Sequence, residues 1–351
     1  MDGRRSGLMR ALVTGAAGFS GRHACERLAA EGMDVTAVLS PRAGRAGERR
    51  PIAGASRELV CDLTDRTAVR SLLERARPDA VLHLAGHNAV DESWRAPDLT
   101  LAANLLSTVY LLEAARPIAG CRIVVAGSML SPRPGEDLTR TLHPYGFSKA
   151  LQVTAALAWH HWYGQQVIVA EPCNLIGPGG SAGICGKIAR WAAACEQRCA
   201  GGAAPPAAGG GPAADAASAD ATVAGAPNAG APAASGMLPA PFRLSSLDER
   251  RDFLDVRDAA AAYALLLRQG EPGVGYALES GTLRSLGEVK DAFDRASLVP
   301  LRWEIGASGA PSPQPRSAGA VRGLGWRPEI PFGRSIADTL QSERERLAGR
   351  S

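Results

Sequence analysis

The chain has 351 residues, 46% hydrophobic and 21% charged, which fits one large or two modest folded domains and excludes a disordered chain or a fibre. A formal charge of +4 over this length is too small for the electrostatic footprint of a nucleic-acid or anionic-lipid binder. No apolar run reaches the ~18 residues of a membrane span, and the opening MDGRRSGLMR lacks the apolar stretch of a secretory signal, so the expectation is a cytoplasmic protein with no membrane partner.

From Leu12 onward, short apolar runs alternate with amphipathic stretches. ALVTG is followed by a helix near residues 19–32, then by VTAVLS, ELVCDL and VLHLAG. Next come a helix containing NLLSTVYLLEAA, a strand RIVVAGS, a helix from about Tyr145 to Tyr163 and a strand QVIVAEP. Strands alternating with helices predict an α/β fold with a doubly wound parallel sheet. Between 200 and 242 the composition collapses to Ala, Gly and Pro, which predicts a disordered insertion. Order resumes at RRDFLDVRDAAAAYALLL, where Asp255 or Asp258 can cap a helix; a strand GYALES, a helix near LGEVKDAF and a last helix follow. The seven scattered cysteines predict reduced thiols, and Cys195 with Cys199 has no nearby histidine to complete a metal site.

TGAAGFSGRH, residues 14–23, leaves the first strand and opens the first helix. Its glycines at 15, 18 and 21 suit a tight turn with a dinucleotide pyrophosphate on the helix N-terminus. NAD-binding sites of this kind end the second strand in a carboxylate for the ribose 2′-hydroxyl. Here the strand ends in Ser40, Arg42 and Arg45. An arginine suits a 2′-phosphate, so NADP(H) is favoured and NAD(H) is the second choice. Tyr145 and Lys149 lie four apart at the start of a helix, on one face, and an adjacent ammonium is expected to bring the phenol pKa down into working range. Ser128, ending the strand RIVVAGS, is the candidate hydroxyl for orienting a carbonyl. His87, after the fourth strand, has a structural reading ahead of a catalytic one.

On these motifs the chain resembles the extended branch of the short-chain dehydrogenase/reductases, the NAD-dependent epimerase/dehydratase family. EPCNLIGPG, RRDFLDVRDAAAAY and GLGWRPEIPF are most similar to the GDP-4-keto-6-deoxy-D-mannose reductases. The resemblance implies a Rossmann-type domain over 8–171, to which 251–282 returns, and a smaller substrate domain from 172–250 and 283–345. It implies a cofactor site of Gly15, Gly18, Phe19, Ser20, Gly21, Ser40, Arg42, Asp62, Leu63, Leu84, Ala85, Gly86, Asn104, Tyr145 and Lys149. Tyr145 would be the acid/base, Lys149 the ribose contact, Ser128 the carbonyl ligand, and Asn174 and Arg251 contacts to a nucleotide-sugar diphosphate. Glu171 departs from the family arginine, and Met129 and Leu130 replace the acids that the related 4,6-dehydratases carry there.

The function this implies is NADPH-dependent reduction at C4 of a nucleotide-linked 4-keto-6-deoxy sugar for surface polysaccharide synthesis. The alternatives are a 4-epimerase with tightly held NAD and a non-catalytic NADP-binding sensor or scaffold. The helices around 99–115 and 146–163 are more apolar than one sheet face needs, and with the resemblance they predict a homodimer.

Overall fold

The computed structural model describes residues 8–43, 50–131, 137–138, 143–201, 239–309 and 317–349. The core of the expected insertion, 202–238, and Arg45 therefore lie outside the described residues, as does 310–316.

In chain order the elements are β1 (Arg10–Thr14), α1 (Phe19–Ala30), β2 (Asp34–Leu39), β3 (Arg57–Val60), α2 (Arg66–Ala76) and β4 (Ala80–His83). Then come α3 (Val90–Arg95), α4 (Pro97–Leu101), α5 (Ser107–Ala115), β5 (Arg122–Ala126), α6 (Pro144–Tyr163), β6 (Gln166–Pro172) and β7 (Asn174–Ile176). The remainder is α7 (Ile184–Ala200), β8 (Phe242–Leu244), β9 (Arg250–Asp255), α8 (Val256–Gln269), β10 (Gly275–Leu278), β11 (Leu283–Ser285), α9 (Leu286–Ala296), β12 (Trp303–Ile305), α10 (Gly319–Gly323) and α11 (Phe332–Leu347).

The chain divides into two compact units. The first holds 1–177, 252–283 and 313–332 and is built on a seven-stranded sheet in the order β10-β6-β5-β4-β1-β2-β3, with every pairing parallel. This is the expected doubly wound α/β fold. Strand residues point alternately to the two faces. Ala11 and Val13 of β1, Leu82 of β4 and Val124 of β5 join the core under α1 and α8. Their neighbours Leu12, Val81 and Ile123 join the core under α2, α5 and α6. Both faces being covered explains why the strands read as continuous apolar runs. Asp255 is the residue that caps α8, accepting from the Arg257 N–H at 2.9 Å.

The strand order reverses between β1 and β4, and the loops after those strands meet at the carboxyl edge of the sheet, where such folds bind ligands. One departure from the sequence pattern lies nearby. The long helix expected around NLLSTVYLLEAA carries a π-helical turn at Ala102–Leu106, between α4 and α5.

The second unit holds 178–251, 284–312 and 333–351. In it β8 and β12 pair in parallel, and Trp191, Phe242 and Trp303 pack ring to ring at 5.2–5.9 Å. Arg344 of α11 grips the Glu196 carboxylate of α7 at 2.7 and 2.8 Å. Among the described residues no helix is long and apolar enough to cross a membrane.

Candidate active site

The turn after β1 leaves no room for side chains. Gly15 has φ +68°, and a Cβ on it would lie 2.7 Å from the Ala85 nitrogen. A Cβ on Gly21 would lie 2.2 Å from the Gly15 carbonyl oxygen. These contacts press the turn against the Leu84–Gly86 loop. Gly18 caps α1 with no side-chain hydrogen bond, and the first turn of this 12-residue helix holds no acid, so the positive end of its dipole is left uncompensated by its own residues. Gly18 is exposed, with Phe19 and Ser20 half-buried beside it. An anion-accepting cradle of this shape fits a dinucleotide pyrophosphate.

The opposite rim forms at the ends of β2 and β3. Their register sets Leu39 opposite Val60, and the Cys61 N–H donates to the Leu39 carbonyl at 2.9 Å, so the segments that begin at Ser40 and at Asp62 leave the sheet at the same edge. Asp62 accepts from the Thr64 N–H at 2.9 Å and the Thr64 hydroxyl at 2.7 Å. Those bonds, and to a smaller degree the charge of Arg42, hold its carboxyl below the usual range. Ser40, Arg42 and Asp62 are all exposed there, and Leu63 is half-buried behind them.

Ser128 follows β5, and α6 brings Tyr145 and Lys149 up beside it. All three side chains are buried, with the Ser128 hydroxyl near enough to act on the Tyr145 phenol. The helix start is fixed twice. The His143 ring accepts from the Gly146 N–H at 2.8 Å, and the Tyr145 N–H donates to the Ser93 hydroxyl at 3.1 Å. Lys149 Nζ donates to the Ala126 carbonyl at 2.9 Å and to Gln152 Oε1 at 2.8 Å. Burial lowers the Lys149 pKa to about 8.

One expectation is corrected here. Lys149 was expected to depress the Tyr145 pKa, but burial raises it, and only the Ser128 hydroxyl pulls it down. The reason is geometric: the ammonium is directed to the Ala126 carbonyl and to Gln152, not to the phenol. The phenol is therefore a proton donor at neutrality.

Asn104 reaches no ligand surface with its side chain. It is 0% exposed; its Nδ2 donates to the His87 carbonyl at 3.1 Å and the Ser148 hydroxyl at 2.8 Å, and its Oδ1 accepts from the His87 N–H at 2.7 Å. Expected among the cofactor contacts, it instead ties the loop after β4 to α6. The His87 ring contacts Thr100 at 3.0 Å and Glu92 at 2.5 Å, the structural role. Of the substrate-side candidates, Asn174 is in the first unit and donates to the Asp252 carbonyl at 3.0 Å. Arg251 is in the second unit, where Glu249 engages its guanidinium. Two buried polar residues passed over by the sequence motifs, His83 and Gln152, stand behind Lys149. A glutamine three residues past the lysine in the apolar run ALQVTAALAW was the available signal.

The NAD dependent epimerase/dehydratase family model matches residues 11–278. The GDP-6-deoxy-D-mannose reductase of Pseudomonas aeruginosa is 27% identical, covering 96% of this chain and 98% of its own. Among solved structures, RMD from Pseudomonas aeruginosa complexed with NADPH aligns with a TM-score of 0.70 at 26% identity, over 97% of this chain and 100% of that one. The UDP-glucose 4-epimerase of Thermus thermophilus complexed with NAD aligns with a TM-score of 0.72 at 25% identity, over 96% and 99%. The chain belongs to the NAD dependent epimerase/dehydratase family. It is an enzyme of the NAD(P)-dependent oxidoreductase type, with a nicotinamide dinucleotide as cofactor.

Proposed function

We propose that this enzyme uses NADPH to reduce the C4 keto group of a nucleotide-linked 4-keto-6-deoxy sugar, of the GDP-4-keto-6-deoxy-mannose type, in the synthesis of a surface polysaccharide. The observation that carries this reading is the buried Tyr145 phenol, held protonated by burial beside the Ser128 hydroxyl. Reduction of a ketone consumes a proton at oxygen, and a phenol kept neutral at working pH is suited to supply it.

The bound dinucleotide supplies the hydride. Ser128 donates a hydrogen bond to the ketone oxygen and polarises it; Tyr145 delivers its proton to that oxygen as alkoxide character develops. Lys149 holds the nicotinamide ribose, and Gly15, Gly18, Phe19, Ser20 and Gly21 receive the pyrophosphate. Ser40 and Arg42 favour NADP(H), since an arginine there complements a 2′-phosphate and no carboxylate ends β2. Asn174 and Arg251 address the sugar-nucleotide diphosphate, with 172–250 and 283–345 acting as the substrate domain. Met129 and Leu130 supply no carboxylate for elimination of water, which argues against a 4,6-dehydratase.

A second reading, a 4-epimerase with firmly held NAD, draws on the likeness to the Thermus thermophilus epimerase. Incubation with GDP-4-keto-6-deoxy-mannose and NADPH separates the two. The reductase consumes one NADPH per sugar reduced, whereas an epimerase interconverts UDP-glucose and UDP-galactose with no added dinucleotide. Firm NADPH binding with no oxidation by the keto sugar would refute the reductase reading.

A further inference from the structure

Lys149 sits at one end of a buried polar chain that crosses two helices and two strands of the first unit, α6, α5, β4 and β1. Gln152, 0% exposed, accepts from the ammonium through Oε1, and its Nε2 donates to the Thr108 hydroxyl at 2.8 Å. Thr108 gives its single hydroxyl hydrogen to the Asn104 carbonyl at 2.7 Å, inside the π-helical turn. Its oxygen is therefore an acceptor toward His83 Nε2, 2.9 Å away, and His83 must carry its proton on Nε2. His83 Nδ1 then accepts from the Thr14 hydroxyl at 2.8 Å, and the Thr14 oxygen accepts from the Ala85 N–H at 3.2 Å. Every donor in this chain has one direction only. An amide cannot relay a proton, so the chain holds geometry and does not conduct.

We propose that Gln152 is a positioning residue for Lys149, fixing with the Ala126 carbonyl where the ammonium sits and how strongly it holds its proton. The proposal deepens the reading of Lys149 given above. A neutral acceptor is the informative choice of residue here. Buried ammonium groups are ordinarily paired with carboxylates. Burial is what shifts Lys149, with no carboxylate contributing, although His83 faces it from β4. The other titratable groups of the cluster are Tyr145, one turn back on α6, and Tyr263 of α8, which faces Tyr145. An amide thus anchors the ammonium without locking it in the charged state, whereas a carboxylate would do both.

The chain contains only three lysines, Lys149, Lys187 and Lys290, so isotope-labelled lysine in the full-length protein gives three side-chain signals to follow by NMR. The signal lost in Lys149→Met belongs to Lys149, and it titrates near about 8. Gln152→Glu places a carboxylate against the ammonium and raises that midpoint by about 1–3 pH units, the usual effect of an adjacent opposite charge. Gln152→Met removes the acceptor, lowers the midpoint and weakens NADP(H) binding several-fold by fluorescence. Unchanged midpoints in folded variants overturn the proposal; if Gln152→Met does not fold, Gln152→Glu decides alone. The titration needs neither cofactor nor sugar. A protein that shows these shifts but oxidises no NADPH keeps the positioning role and loses the reductase reading.

Discussion

His83 makes a specific demand on stability. It is 0% exposed between the Thr14 and Thr108 hydroxyls, and burial, assisted by the charge of Lys149, pulls its pKa from 6.5 to about 3. The folded state therefore keeps the imidazole neutral where the unfolded chain takes up a proton. The lowered pKa means that the favourable term is present above about pH 6.5 and is lost as pH falls toward about 3. At ~1.4 kcal/mol per pH unit the whole interval amounts to on the order of 5 kcal/mol. Protonation would also leave Nδ1 as a donor facing the Thr14 hydroxyl, whose oxygen already receives the Ala85 N–H. His83→Gln removes the titration and keeps a donor for Thr108, at a cost of about 1–3 kcal/mol for the acceptor lost to Thr14. Urea unfolding of both proteins between about pH 7 and about pH 4.5 measures the difference. The unmutated protein should lose stability more steeply, by ~1.4 kcal/mol for each pH unit. Parallel curves would refute the neutral, singly oriented imidazole.

Five further outcomes are expected. Tyr145→Phe should cut turnover by ~10²–10⁴ with cofactor binding retained, and Ser128→Ala should reduce turnover with little change in cofactor affinity; NADPH oxidation and fluorescence titration check both. Arg42→Asp should shift preference from NADP(H) toward NAD(H), and equal affinities in the unmutated protein would remove the 2′-phosphate argument. Gly21→Ala puts a carbon 2.2 Å from the Gly15 carbonyl oxygen, so it should cost ~1–3 kcal/mol in overpacking and weaken dinucleotide binding, read by melting temperature and titration. Trp162 at 61%, Leu99 at 53% and Tyr163 at 47% exposure leave an apolar surface around α4 and α6, and light scattering should return the mass of a dimer.

The pattern of the sequence determined the doubly wound sheet, the glycine turn into α1 and the placing of Tyr145 and Lys149 one turn apart on the same helix. These are local: strand and helix periods and short spacings on one helix express themselves without knowledge of what lies opposite. The order of the sheet, the π-helical turn at Ala102–Leu106 and the state of the site were decided by tertiary structure. Sequence proximity suggested that Lys149 acts on Tyr145. In the folded protein the ammonium turns to the Ala126 carbonyl on β5, 23 residues earlier in the chain, and to Gln152. Burial then raises the phenol pKa that the spacing alone had suggested would fall. Likewise His83, Thr108 and Gln152 come from β4, α5 and α6 and become one hydrogen-bonded chain only when those elements pack. Desolvation and hydrogen-bond direction depend on which groups face each other across the core, and that arrangement is a property of the fold.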